Sequence, residues 1–186
     1  MSGLLANPFN VIGASVRSSK AEIAELAEVA ELSHDHASVA AARGQLVNSR
    51  TRLTAELGWL PGVSPSRAKQ VIKLVAEPGS LLRADLGLPP LATANAIGAA
   101  LELLGDQESS AVYDGCEKLV MAYDGINAEL VLSAVNEDRT ISGFPVISEV
   151  VAITDAISEL RRGYVQSMER ALDRLETEQL IQVVTR

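Results

Sequence analysis

From Val146 to Arg186 the chain contains no proline and a single glycine, Gly163, and its large apolar side chains recur every three or four positions. Val150, Ile153, Ile157, Leu160 and Tyr164 are spaced three, four, three and four, and Met168, Leu172 and Leu175 extend the line after a shift of register. Residues three and four apart share one face of an α-helix, so this spacing makes an apolar stripe on a helix and excludes a strand, whose faces alternate every two residues. A helix over all of this stretch would span roughly 60 Å at about 1.5 Å per residue, more than the width of a domain of this size. The sequence therefore predicts that it projects or pairs in coiled-coil fashion. Its eight seam residues are the expected contact for another protein or a second copy.

The rest of the chain reads as helices too, which makes the expected fold class all-α. Asn7-Pro8 and Ser64-Pro65 are helix-opening pairs, a capping side chain followed by a proline whose missing N–H costs nothing in the first turn. Ser19 and Glu22 have capping-box spacing ahead of Ile23, Leu26, Ala27 and Ala30. A third helix is expected from near Ser38 through Val39, Ala42 and Leu46, then a break at Asn48-Ser49 and a fourth helix carrying Leu53 and Leu57 with Trp59 nearby. Ala68, Val71, Ile72 and Val75 form the next amphipathic line, which Pro78-Gly79 is expected to stop. Leu86-Gly87-Leu88-Pro89-Pro90 is the expected connection between two subdomains. Beyond it come helices through Ala92–Leu104, ended by Gly105, through Ser109–Tyr123, and from the cap Asn127 through Leu130, Leu132 and Val135. Gln179 to Arg186 still reads as helix, as though the natural chain continued.

Charge narrows the function classes. The net charge is −8, which opposes a whole-molecule grip on nucleic acid or anionic lipid. Residues 1–80 carry eight Lys and Arg against seven Asp and Glu, whereas residues 81–186 carry eight against seventeen. Locally, Arg43, Arg50, Arg52, Arg67, Lys69 and Lys73 form a basic stretch opposed only by Glu56. Arg43, Arg50 and Arg52 are the residues a nucleic-acid role would use. No series of aromatic side chains is interleaved with them, and nucleic acid is not the expected partner.

Catalytic chemistry finds little footing. His34-Asp35-His36 is the one cluster of metal-ligand type, but a stable zinc site needs further ligands that nothing nearby supplies, so a solvated polar turn is expected. Cys116, the single cysteine, sits on an apolar helical line far in sequence from either histidine and reads as a buried structural thiol. A lone cysteine also forbids an internal disulfide and fits a reducing, cytoplasmic compartment. No Gly-x-Ser-x-Gly turn or phosphate loop is present. Nor is there a leader-like N-terminus or an eighteen-residue apolar run, so neither export nor a membrane span is expected. No enzyme activity, cofactor or metal is expected.

Residues 7 to about 60 resemble the J-domain of the co-chaperones that stimulate Hsp70. The resemblance rests on Asn7-Pro8-Phe9-Asn10-Val11-Ile12-Gly13 as an opening helix, Ser18-Ser19-Lys20-Ala21-Glu22-Ile23 entering the second, and Leu46-Val47-Asn48-Ser49-Arg50-Thr51-Arg52 at the break before a fourth. It implies a J-like fold of the kind found in bacterial interaction domains. This chain has His34-Asp35-His36 where the family carries His-Pro-Asp, and Glu22, Glu25, Glu28 and Glu31 where the family's second helix presents a basic face. The expected organisation is a J-like helical subdomain over 1–62, a connecting helix and linker over 63–90, and a helical bundle over 91–186 ending in the long helix. The expected function is a non-enzymatic protein-interaction or assembly module. The alternatives are an Hsp70 co-chaperone-like protein or a nucleic-acid-binding protein using the Arg43–Lys73 stretch.

Overall fold

Polar side chains ahead of apolar runs set most of the helix starts. In the computed structural model, which describes residues 3–104 and 109–177, the Asn7 side chain accepts a hydrogen bond from the Phe9 amide and Pro8 opens α1 (Pro8–Ile12). Gly13 then closes α1 at φ 74°, a left-handed conformation that glycine adopts without a Cβ penalty. Ser19 and Glu22 form the full capping box of α2 (Lys20–Ala30). Asp35, rather than a residue next to Ser38, caps α3 (His36–Val47) by accepting from the Ser38 amide. Asn48 caps α4 (Ser49–Leu57), and Ser64 caps α5 (Pro65–Val75). α5 stops ahead of Pro78 as expected, and Pro78 also opens a further short helix, α6 (Pro78–Arg83), at the first position where a proline fits. Then follow α7 (Pro90–Leu103), α8 (Ser109–Asp124), α9 (Ala128–Ser142), capped by Asn127, and α10 (Val150–Asp173). The expected stop at Gly105 and the helical reading of Gln179 to Arg186 lie outside the described residues. Among the described residues the fold is all-helical, without strands.

The centre of the molecule is α7. Ten of its fourteen residues are buried, so it is covered on every side rather than along one stripe, as a helix in the middle of a bundle must be. α8, α10, α6 and α5 all pack on it. Five of its fourteen residues are alanine, which lets those neighbours approach closely. Gly98 is one closest point, where a Cβ would lie 3.2 Å from Cδ1 of Tyr164 on α10. Gly115 on α8 is tighter still, since a Cβ there would lie 2.8 Å from a methyl of Leu101.

Helix α1 packs on α2 and α3, which form a hairpin, and α4 follows against α3. The core runs on from there without a gap. Val71, Val75, Leu81, Leu82 and Leu86 of the expected connection 63–90 are buried in the same apolar cluster as Phe9 and Leu46 on one side and Leu101 and Ile153 on the other. Asn95 of α7 ties the two ends together, its side-chain amide donating to the Leu57 and Trp59 carbonyls at 2.7 and 2.6 Å. Residues 85–89 are a non-helical link within one packed body, with Gly87 at φ 55°.

Helix α10 corrects the projecting rod. It covers 24 residues, about 36 Å at ~1.5 Å per residue, because the chain reaches it through a non-helical stretch after Gly143 and leaves it at Arg174. The Arg174 side chain turns back, donating to the Leu101, Glu102 and Leu104 carbonyls at the C-terminal end of α7. A guanidinium there satisfies carbonyls left unpaired by the helix and meets the negative end of its dipole.

Candidate functional site

The stripe expected to receive a partner is covered by the chain itself. Ile153, Ile157, Leu160, Tyr164 and Leu175 are buried, and Met168 and Leu172 are half-buried against the same core; Val150, at the start of the helix, is the exposed one. The cover comes chiefly from α7, with α9, α8 and α4 contributing. Tyr164 is fixed chemically as well. Its hydroxyl donates to Asn95 Oδ1 at 2.6 Å and its ring meets Tyr123 edge-on at 6.1 Å, while burial pushes the phenol well above its ordinary pKa. The outward face of α10 carries Thr154, Asp155, Ser158, Glu159, Arg162 and Gln166. The seam residues therefore serve the internal core instead of an intermolecular coiled coil.

The basic stretch is divided in the same way. Arg43 and Arg50 are exposed, but Arg52 is 0% exposed and unavailable to a phosphate backbone. Its guanidinium donates to Glu56 Oε1 at 2.7 Å and to the Val16 carbonyl at 2.6 Å, and it lies 3.8 Å from the Phe144 ring centroid. The second Glu56 oxygen accepts from Arg139 of α9 at 2.8 Å, and Arg139 also donates to the Ser49 and Pro145 carbonyls. Burial disfavours charge on both Glu56 and Arg52, raising the carboxyl pKa and lowering the guanidinium's, against the attraction between them. The result is a buried Arg–Glu–Arg bridge that locks α4 to α9 and to the loop before α2. Beside it, Arg17 donates to Asp138 of α9 at 2.7 Å.

The groups singled out for chemistry are engaged locally. Asp35 spends its carboxylate on Ser38, and hydrogen bonding to the Ser38 hydroxyl first and its amide second lowers its pKa. His36 Nδ1 lies 3.1 Å from Glu31 on the exposed hairpin turn, and among the described residues no group of three potential ligands converges. Cys116 is half-buried, and burial pushes its thiol up to about 11. At pH 8 that leaves about a hundredfold less thiolate than the ordinary value of 9.0 would. Native protein is expected to react with a disulfide reagent about a hundredfold more slowly than unfolded protein; equal rates in the two states would contradict this burial.

One surface open to a partner is the corner where the start of α7 meets the start of α9. A recess of about 260 Å³ lies there, lined by Pro61, Pro89, Leu91, Ile126, Leu130 and Ala134 among others. Leu130 stands on its rim at 71% exposure, and Asn127, the nearest polar side chain, is spent on the Glu129 and Leu130 amides. Of the expected apolar line Leu130, Leu132 and Val135, Val135 is buried and Leu132 half-buried against the core, but Leu130 faces outward. The true inner line is Val131, Val135, Asp138 and Ser142, spaced four, three and four. Two polar members hid that line, although its spacing was there to be read.

Comparison with family models, with curated proteins and with solved structures gives no match in any of the three. Fold and surface define a class: an all-α bundle built around a buried alanine-rich helix, with an apolar recess at one corner. Among the described residues no helix is long and apolar enough to cross a membrane.

Proposed function

We propose that this chain is a non-enzymatic protein-interaction module of the cytoplasm that receives an apolar side chain of another protein at the α7–α9 corner. The observation that carries this is the exposure of Leu130 beside a concave surface with almost no polar lining. A large aliphatic side chain in water next to an unfilled apolar recess loses the burial that a partner would restore, on the order of 1.5–3 kcal/mol for one fully buried side chain. The engagement of Asp35, His36 and Cys116 in capping, pairing and packing supports the non-enzymatic part. The single free cysteine supports a reducing compartment. Packing of α1 on the α2–α3 hairpin, followed by α4, supports a J-like N-terminal arrangement. The glutamates on α2 and the capping use of Asp35 speak for one without Hsp70 activation.

The test is a photo-crosslinking amino acid at position 130, with position 159 on the polar face of α10 as the comparison. Position 130 should trap one discrete product in cells, position 159 should not, and Leu130→Glu should abolish co-purification of the trapped protein. No product at 130, or the same products at both positions, removes the proposal.

A further inference from the structure

A second and larger cavity, about 410 Å³, opens on the other side of Pro90, between the end of α6, the 84–90 link, α7 and α8. Ala84, Leu86, Pro90, Ile97, Met121 and Ala122 make its walls, and Arg83, Asp85 and Lys118 stand around it. Its size falls in the range of small-molecule sites, and its walls, like theirs, are mostly apolar with few polar groups. A closed apolar cavity of roughly 150 Å³ holds one benzene, so this open one has room for an apolar body of about ten carbons. Met121, 67% exposed, is a flexible side chain at the rim that can fold over such a body.

The polar groups decide what sort of molecule fits. The Lys118 ammonium donates to the Leu82 and Ala84 carbonyls at 2.5 and 3.2 Å, which pins the charge in place with two of its three protons. Both acceptors are uncharged, and among the described residues no ion pair joins Lys118 to a carboxylate. Asp85, the acid at the cavity, is turned to the Gly87 amide at 3.2 Å, and the Thr93 hydroxyl donates to the Leu88 carbonyl. A half-buried cation with one proton to give, beside an apolar wall, is complementary to a single negative charge attached to an apolar body. We infer that this cavity binds a small amphipathic anion, with its tail against Ile97, Ala122 and Met121 and its head on Lys118. The site is separate from the Leu130 recess and does not depend on the interaction reading.

Titration of the full chain with sodium octanoate and, separately, with octanol, followed by amide NMR, tests this. Octanoate should produce saturable shifts confined to Ala84–Gly87, Ile97, Met121 and Ala122, and should bind about tenfold more tightly than octanol. Met121→Trp, which fills the mouth from an exposed position, should weaken octanoate by about tenfold. Lys118→Met should remove the preference for the acid over the alcohol. Leu130→Glu should leave octanoate binding as it is, so that loss of the protein partner and loss of the ligand are told apart. Equal binding of acid and alcohol by the wild-type chain, shifts that never saturate, or shifts spread to exposed apolar residues such as Leu32 and Val151 would overturn the assignment.

Discussion

Glu56→Gln is expected to lower stability by about 3–5 kcal/mol, the cost of leaving buried charge without its counter-charge. For a chain of this length that corresponds to a fall in melting temperature of about 10 °C. Glu56 is 3% exposed and each of its oxygens takes one guanidinium, so the substitution strands Arg52 and Arg139 as like charges in the interior. Neither arginine can retreat to solvent: Arg52 is held by the Val16 carbonyl and the Phe144 ring, Arg139 by the Ser49 and Pro145 carbonyls. Arg50→Gln, two residues from Arg52 but exposed, should stay within about 0.5 kcal/mol of the parent. Thermal or urea unfolding of the two variants side by side reads the contrast. Equal small effects would mean that the bridge is not buried as described.

Tyr164→Ala should cost about 3–5 kcal/mol, and Tyr164→Phe about 1–3 kcal/mol. The larger loss is the volume of an aromatic ring packed against Gly98 and Tyr123. The smaller one is the hydroxyl that satisfies Asn95, whose amide in turn holds the Leu57 and Trp59 carbonyls. Because Asn95 joins both ends of the core, the Trp59 fluorescence of the alanine variant should change in the same transition as its helix content. A Tyr164 on a projecting helix would tolerate alanine within about 0.5 kcal/mol.

These two residues also show what the sequence could and could not tell. Helix starts were local chemistry and therefore legible: Asn7 with Pro8, Ser19 with Glu22, Ser64 with Pro65, and Asn127 each cap the helix they announce. Pro78 ends one helix and opens another by the same property, a fixed φ without an N–H, and only the ending is legible from spacing. The α10 stripe was legible as something to be buried, but an apolar line does not say whose atoms bury it. The cover came from α7, whose all-round burial is written in alanines too small to make a conspicuous periodic pattern. Nothing beside Arg52 in the sequence marks it for burial: the ring that covers it, Phe144, and its counterpart Arg139 lie some ninety residues on and cannot be paired with it by spacing. The same long-range packing carried Leu130 outward and left the recess beside it, which no local signal announced.

The account stands on α10 being enclosed by its own molecule. Hydrogen–deuterium exchange of the amides from Ile153 to Tyr164, measured over about a hundredfold dilution, addresses this directly. The prediction is slow exchange, matching α7 and unchanged by concentration. Protection that disappears on dilution would show that a second chain provides the cover, and would contradict the single packed body described above.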